Sequence, residues 1–286
     1  MRPGRDDIAA PELPRRIAWI GERPPSMARL TADGPALVHV FDFAQLNSVR
    51  TLAYVEEWDR RYRDAGLTVL GVQAPRFRFG AEPETVAAGL ERLGVSFPTA
   101  IDSDRELWLA YGCEGWPSLF LWGRGGVLRW FHFGEGEYRA TEEAIQSELR
   151  EIDALRRMPA PMEPLRPTDE PGAPVIVPTA ELFPAPGRAW IAARDGRGFA
   201  VEYEAGGASV TAAGEGELYP ELDGERLARV EVSGPGLYEI TEHGTHERHS
   251  LALDLADGVE VWSVSFAPGL PPGGAEAAPK RVARDG

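Results

Sequence analysis

The chain has 286 residues, a length that suggests about two domains, each with a hydrophobic core. Its 30 basic and 45 acidic residues give a formal charge of −15, and such a protein repels phosphate backbones and anionic lipid, which disfavours nucleic acid and membrane partners. The single cysteine, Cys113, excludes an intramolecular disulfide, a Cys-x-x-Cys redox couple and a cysteine-rich zinc site.

The N-terminal segment carries charges and no apolar stretch of signal-peptide length. No other segment approaches the roughly 20 apolar residues of a membrane span. The sequence therefore predicts a cytoplasmic protein.

Residues 17–156 alternate strand-like and helix-like periods, which is typical of a layered α/β domain. The first predicted strand, 37–43, is nearly all apolar, as expected for a strand covered on both faces. A helix follows because apolar residues recur every three or four positions up to Tyr62, and Gly66 can form its C-terminal cap. Further strands are predicted at 67–72, 119–122 and 127–133, and further helices at 84–93, 104–111 and 141–155.

The composition changes at a proline-rich segment, which predicts a stiff linker over 158–174 between a first domain, 15–157, and a second, 175–270. In the second, short strand-like runs alternate with Gly, Pro and Asp turns, a pattern that predicts an all-β sandwich. Residues 271–286 lack apolar periodicity and are predicted to be a mobile tail. The predicted strands are 189–193, 199–203, 208–212, 227–232, 237–240, 249–255 and 259–266.

Several stretches of the first domain carry a resemblance to a known family. RTLAYVEEWDRRYRDAGLTVLGVQAPRF, FPTAIDSDRELWLAYG, WPSLFLW and HFGEGEYRATEEAI resemble, in order and spacing, redoxin domains of the DipZ and TlpA type. These belong to the broader group that includes alkyl hydroperoxide reductases. The resemblance covers residues 17–156 and implies a thioredoxin fold. GPGLYEI and LALDLADGVEVWSVSFAPG are similar to the carbohydrate-binding-like sandwich that follows the redoxin domain in some DipZ proteins.

In that family, the turn after the first strand carries Cys-x-x-Cys at a helix start, where the helix dipole stabilises a thiolate. Aligning the family on Asn47, Arg50 and Thr51 places Gln45 and Ser48 on the two cysteine positions. A carboxamide is not a nucleophile, and a serine hydroxyl without a partnered base stays protonated. The resemblance therefore implies the family's scaffold without its catalytic residues.

The resemblance also implies that Trp116-Pro117 forms the family's cis-proline loop, beside a groove that binds extended peptides. Main-chain hydrogen bonds to an added strand need no thiol, so this groove can still bind a peptide when the cysteines are absent. We therefore expect a redox-inactive protein that binds a protein or peptide partner and carries no cofactor and no metal. The expected groove residues are Phe43, Ala44, Gln45, Ser48, Arg76, Trp116 and Pro117.

Arg76 is a second departure from the family pattern. Relatives tend to show His and Glu in GVHTPEF, where this chain has Gln73 and Arg76 in GVQAPRF. A cation near a helix N-terminus can form an anion-binding spot. A solvated loop arginine is the favoured interpretation.

Cys113 supports an alternative function, because it lies four residues before Pro117. A single-thiol peroxidase or redox sensor would need this thiol to be exposed and its pKa lowered. A buried, inert thiol is the favoured interpretation.

A third possible function is the binding of a carbohydrate or a small anion. Five aromatic residues of the second domain could form a sugar-stacking platform, although core packing is the commoner use of such residues and fold alone does not assign a ligand. These are Trp190, Tyr203, Tyr219, Tyr238 and Trp262.

His243, His246 and His249 suggest a metal site by their spacing of three. On a strand, however, residues i and i+3 point to opposite sides, so an exposed hairpin tip is the favoured interpretation.

Overall fold

A computed structural model describes residues 8–192 and 198–273. They form two compact units that divide between Glu163 and Pro164, with the short segment Gly234–Leu237 grouped with the first. The predicted tail, 271–286, lies outside the described residues except for 271–273.

The first unit contains one six-stranded sheet in the order β1-β4-β3-β2-β5-β6. Strands β2, β3 and β4 are parallel, whereas β1, β5 and β6 each run antiparallel to a neighbour. The strands are β1 Ala18–Ile20, β2 Ala36–Phe41, β3 Thr68–Gln73, β4 Thr99–Ile101, β5 Ser118–Trp122 and β6 Leu128–Phe133, and the helices are α1 Met27–Leu30, α2 Leu46–Tyr62, α3 Pro83–Arg92, α4 Glu106–Ala110 and α5 Tyr138–Ile152. The predicted α/β class is confirmed, but β1, β4 and α1 were not predicted because they are too short to show a period.

The central strand β2 is buried at all six positions, as its continuous apolar sequence predicts for a strand with both faces covered. Its side chains alternate between two cores. Leu37 and Phe41 pack with α2 and α5, whereas Val38 and Val40 pack with α4 on the opposite face of the sheet. Helix α2 therefore begins on one face of the sheet, and α4 lies on the other.

Helix α2 ends close to where its sequence predicts. Trp58 and Tyr62 are completely buried on its apolar stripe. One short 3₁₀ turn, Arg63–Ala65, follows the helix. Gly66 then adopts φ 106°, the left-handed conformation in which glycine avoids the clash that a Cβ atom causes.

The second unit is a curled β-sheet with unusually long strands. β8 alone spans 24 residues and pairs with four other strands, β9, β10, β11 and β12. The all-β class is confirmed, whereas the arrangement of two packed sheets is not. The strands are β7 Trp190–Ile191, β8 Phe199–Leu222, β9 Glu225–Arg226, β10 Val230–Ser233, β11 Gly236–Leu255 and β12 Val259–Ala267.

Two predicted short strands, 199–203 and 208–212, fuse within β8. The sequence between them includes Gly206 and Gly207, which suggested a turn. In the structure both glycines lie inside the strand, at a place where neighbouring backbone passes too close for a side chain. A Cβ atom on Gly206 would come within 2.5 Å of the Pro268 carbonyl oxygen, and one on Gly207 within 2.7 Å of that of Thr241.

Within residues 8–192 and 198–273, none of the helices combines the length and the apolar character that crossing a bilayer requires.

Candidate functional site

Gln45 and Ser48 lie at the start of α2, and both side chains bind backbone amides. Gln45 is the N-cap residue, and its Oε1 accepts a hydrogen bond from the Ser48 amide at 2.7 Å. Ser48 is completely buried, and its Oγ accepts from the Asp42 amide at 3.2 Å. The two side chains that were predicted to replace the cysteines therefore hold the turn in place through hydrogen bonds.

Asp42 follows β2 directly and is buried beneath this turn. Its Oδ1 accepts from the Ala44 amide at 2.8 Å, and its Oδ2 accepts from the Arg76 amide at 2.7 Å. Burial raises the pKa of Asp42, and the Arg76 charge and these hydrogen bonds oppose that rise. Sequence reasoning missed Asp42, whose one signal is an acidic residue at the end of an apolar strand.

Arg76 is an inward-facing partner of this carboxylate. Its Nε lies 3.7 Å from Asp42 Oδ2, and its Nη2 donates to the Ala44 carbonyl at 3.4 Å. Only 10% of the side chain is exposed. The interpretation of Arg76 as a solvated loop residue is wrong, because the buried carboxylate of Asp42 holds the guanidinium against the turn.

Gln73 is also buried. Its Oε1 accepts from the Phe43 amide at 3.0 Å, and its Nε2 donates to the Gly80 carbonyl at 3.4 Å. This carboxamide links the turn before α2 to the loop after β3. It contributes neither a charge nor a general base.

The Trp116–Pro117 peptide bond is cis. Trp116 Nε1 donates to the Ala74 carbonyl at 2.8 Å, and the indole packs against Trp108 with ring centroids 4.3 Å apart. The Arg105 guanidinium carbon lies 5.4 Å from the centroid of the Trp116 ring. The side chain of Trp116 thus connects the proline loop to the end of β3.

The expected groove residues are less accessible than a peptide groove suggests. Phe43, Ala44, Ser48 and Pro117 are buried, and only Gln45, Arg76 and Trp116 retain partial exposure. Two hydrogen bonds, from Arg76 to Ala44 and from Trp116 to Ala74, link the loops around this corner. A partner would therefore meet three partly exposed side chains and the adjacent backbone.

Cys113 packs in the core on the face of the sheet opposite α2, with Trp108, Tyr111 and Phe120. The residue is 8% exposed. Burial raises the pKa of its thiol to about 11, the Ser118 hydroxyl acts in the opposite direction, and the Asp102 charge adds to the rise. The two conditions for a reactive single thiol, exposure and a lowered pKa, are therefore not met.

We expect Cys113 to react with dithionitrobenzoate on the order of 100-fold more slowly than a free thiol at pH 7.5, because a raised pKa depletes the thiolate. In urea the same thiol should react at the ordinary rate. A native thiol that reacts as fast as the unfolded one would contradict the burial of Cys113.

The three histidines of the second unit do not converge. The His243 and His249 rings stack with centroids 4.1 Å apart, and His249 Nδ1 lies 2.7 Å from Asp223 Oδ2. His246 is three residues from each, and its amide donates to the Leu270 carbonyl. The prediction that residues three apart on a strand do not bind one ion together agrees with this arrangement. The prediction that the histidines lie at an exposed hairpin tip is wrong, because all three residues lie within β11. Among the residues that the structure describes, no group of three or more His, Cys, Asp or Glu side chains could hold a metal ion.

The five aromatic residues proposed as a sugar platform differ in exposure. Tyr203 is buried, Trp190 stacks on Phe199 with centroids 4.3 Å apart, and Tyr238 accepts a hydrogen bond from a backbone amide. Tyr219 alone among the five is more than a third exposed, at 48%.

Comparison with known proteins finds relatives over about half of the chain. No protein-family model matches the chain. It is 30% identical to protein DipZ of Mycobacterium tuberculosis over 167 residues, which are 57% of this chain and 24% of DipZ. It is 24% identical to the thiol-disulfide oxidoreductase YkuV of Bacillus subtilis over 143 residues, which are 50% of this chain and 95% of YkuV. A solved thioredoxin-like protein in the oxidised form superposes with a TM-score of 0.47 at 24% identity, covering 51% of this chain and 98% of the other.

This chain thus spans about a quarter of the length of DipZ, and nearly all of YkuV is matched within it. Over about half of its length, the chain is therefore similar to thioredoxin-like redoxin proteins, among them a thiol-disulfide oxidoreductase.

Proposed function

We propose that the first unit is a redox-inactive member of this family, which acts by binding a protein or peptide rather than by exchanging disulfides. The observation that carries the proposal is the start of α2, where the side chains of Gln45 and Ser48, which the resemblance aligns with the cysteines, both bind backbone amides.

Dithiol chemistry requires two sulfurs at one place. A thiolate attacks a disulfide, a mixed disulfide forms, and a second thiol resolves it. This chain has one sulfhydryl, and it is buried on the other face of the sheet. A mixed disulfide on Cys113 would have no internal thiol to release it.

We expect the wild-type protein to show no insulin reduction above the dithiothreitol background, and Cys113→Ser to leave that result unchanged. The double variant Gln45→Cys with Ser48→Cys should gain measurable turnover, because a thiolate at residue 45 would lie at the positive end of α2. The single variant Gln45→Cys, which lacks the resolving thiol, serves as the matched control. Turnover by the wild type that persists in Cys113→Ser would disprove the proposal.

For the partner, we propose an extended peptide that contacts Gln45, Arg76 and Trp116. Two points support this proposal. These three side chains are partly exposed around the Trp-Pro loop. In addition, a peptide can bind by adding a strand to a sheet edge without any thiol. Selection from a random peptide library on the immobilised full chain should enrich sequences that Trp116→Ala no longer retains. Tyr219→Ala, in the other unit, is the control. A selection without enrichment, or one that Trp116→Ala leaves intact, would remove the peptide-binding part of the proposal.

The single-thiol alternative would need Cys113 to open to solvent. Its burial and raised pKa give this alternative no support.

A further inference from the structure

Two histidines of β11 stack on each other inside the second unit. The rings of His243 and His249 lie with their centroids 4.1 Å apart and 26° from parallel. The hydroxyl of Tyr203, in β8, lies 2.9 Å from His243 Nε2, and the buried Tyr203 ring stacks on Phe266 of β12 with centroids 4.7 Å apart. His249 Nδ1 lies 2.7 Å from Asp223 Oδ2. This histidine stack therefore contacts β8 through one ring and the turn after β8 through the other.

Asp223 links that turn to β11. At φ 52°, with Gly224 at φ 86°, it takes the left-handed conformation that a two-residue hairpin turn between β8 and β9 requires. Its amide donates to the Ser250 carbonyl at 2.9 Å, and its Oδ1 accepts from the Ser250 amide at 2.8 Å. The bond from His249 is the third. Three hydrogen bonds of Asp223 thus hold the tip of the β8–β9 hairpin against β11, and one of them depends on the position of a histidine ring.

The titratable side chains nearest the histidine stack come from three segments: Tyr203 of β8, Asp223 of the turn and Glu247 of β11 itself. β12 contributes the uncharged ring of Phe266. Glu247 Oε2 lies 3.9 Å from His249 Nε2, a buried atom that has no hydrogen-bond partner among the residues the structure describes. Both carboxylates lie next to His249, so they stabilise a first proton on that ring.

A second proton, on His243, meets the opposite conditions. It would place two positive rings 4.1 Å apart. It would also make His243 Nε2 a donor, so that the hydroxyl hydrogen of the buried Tyr203 would lose its acceptor. Burial lowers the pKa of His243, the charge of His249 adds to that decrease, and two carboxylates oppose it. The closed arrangement therefore accepts one proton far more readily than two.

The repulsion between two charged rings is relieved where the structure can yield. Tyr203 is fixed between β8 and β12, whereas the Asp223 side chain is 50% exposed in a turn. We infer that the histidine stack is a pH-sensitive switch, which holds the β8–β9 hairpin on β11 near neutral pH and releases it when acid protonates both rings. The switch belongs to the second unit, and the peptide-binding proposal does not depend on it.

The direction of the switch follows from proton linkage. The open arrangement binds the second proton more readily than the closed one, so acid favours release below the ordinary histidine pKa of about 6.5. Asp223 stays ionised in that range, because the Ser250 amide and His249 hold the pKa of its carboxyl below the usual value. The histidines, rather than the carboxylate, therefore set the response.

Histidine-selective NMR of the full-length protein between pH 8 and 4.5 tests this inference. His243 and His249 should titrate with midpoints at least about one pH unit apart, because charge on one ring opposes charge on the other. Between pH 7 and 5 the hydrogen-exchange protection factor of the Asp223 amide, corrected for the intrinsic effect of pH, should fall by about tenfold or more. The amide of Val261, in β12, should keep its protection, because the release is local.

Two variants separate the switch from other acid effects. His243→Gln keeps an acceptor for Tyr203 and takes up no proton, so the protection of Asp223 should fall by less than about threefold. His246→Gln changes a histidine of the same strand that lies outside the stack, and it should keep the full response.

Four results would overturn the inference. These are a common midpoint for His243 and His249, Asp223 protection that does not fall between pH 7 and 5, an equal loss of protection at Val261, or an unaltered response in His243→Gln. The first three are measured on the wild type, so the test does not depend on whether the variant folds.

Discussion

Acidification from pH 7.5 to 4.5 is expected to remove about 2 to 3 kcal/mol of unfolding free energy from the first unit through one residue, His39. His39 lies in the middle of β2, fully buried, with its ring stacked on Phe41 at a centroid distance of 4.9 Å. Neither ring nitrogen has a hydrogen-bond partner among the described residues. Burial lowers the pKa of His39 from 6.5 to about 3.

The direction of the effect follows from these two pKa values. The unfolded chain binds a proton at this histidine below about pH 6.5, and the folded protein does not until about pH 3. The stability is therefore fully present above pH 6.5 and is lost, by about 1.4 kcal/mol per pH unit, as the pH falls toward 3.

His39→Leu should abolish this part of the acid sensitivity, because leucine has a similar volume and no proton to take up. At pH 7.5 the variant should be at least as stable as the wild type, since it removes polar atoms without partners. Urea titrations followed by hydrogen exchange of peptides from β2 and α2 report on the first unit alone. His132→Gln, which changes a partly exposed histidine of β6, is the matched control. Equal acid sensitivity of His39→Leu and the wild type would show that His39 is accessible to protons in the folded state.

Arg76→Met should destabilise the first unit by about 3 kcal/mol at pH 7.5, because it leaves the buried Asp42 carboxylate without its cation. Arg76→Lys should recover part of the loss, since it restores the charge without the planar fork of donors. Arg78→Met, two residues away and exposed, should change stability by less than about 0.5 kcal/mol.

The effect of Arg76→Met should also depend on pH. Burial already raises the pKa of Asp42 and Arg76 opposes that rise, so removing Arg76 should raise the pKa further. With a higher pKa, the folded variant binds a proton at Asp42 more readily than the folded wild type does. The variant therefore gains stability relative to the wild type as the pH falls. The destabilisation by Arg76→Met should therefore be smaller at pH 5 than at pH 7.5. A loss below about 0.5 kcal/mol, or one that grows on acidification, would show that the pair does not stabilise the turn.

The sequence determined the features that depend on local pattern and on composition. The order of elements was predicted from the periodicity of α2, the apolar run of β2 and the cap at Gly66. Each of these signals depends only on residues that are close together in the sequence. The count of one cysteine by itself excludes a dithiol site within the chain. The resemblance to redoxins then identified Gln45 and Ser48 as the replaced positions.

Only the tertiary structure decided what surrounds those positions. Arg76 faces inward because Asp42, 34 residues earlier, lies beneath it, and Cys113 is buried because it packs with residues of α4 and β5. Two predicted strands form the single strand β8, and distant backbone occupies the space beside Gly206 and Gly207 between them, where no side chain would fit. In each case the environment of a residue is set by chain far away in sequence, whereas helix and strand periods are set by immediate neighbours.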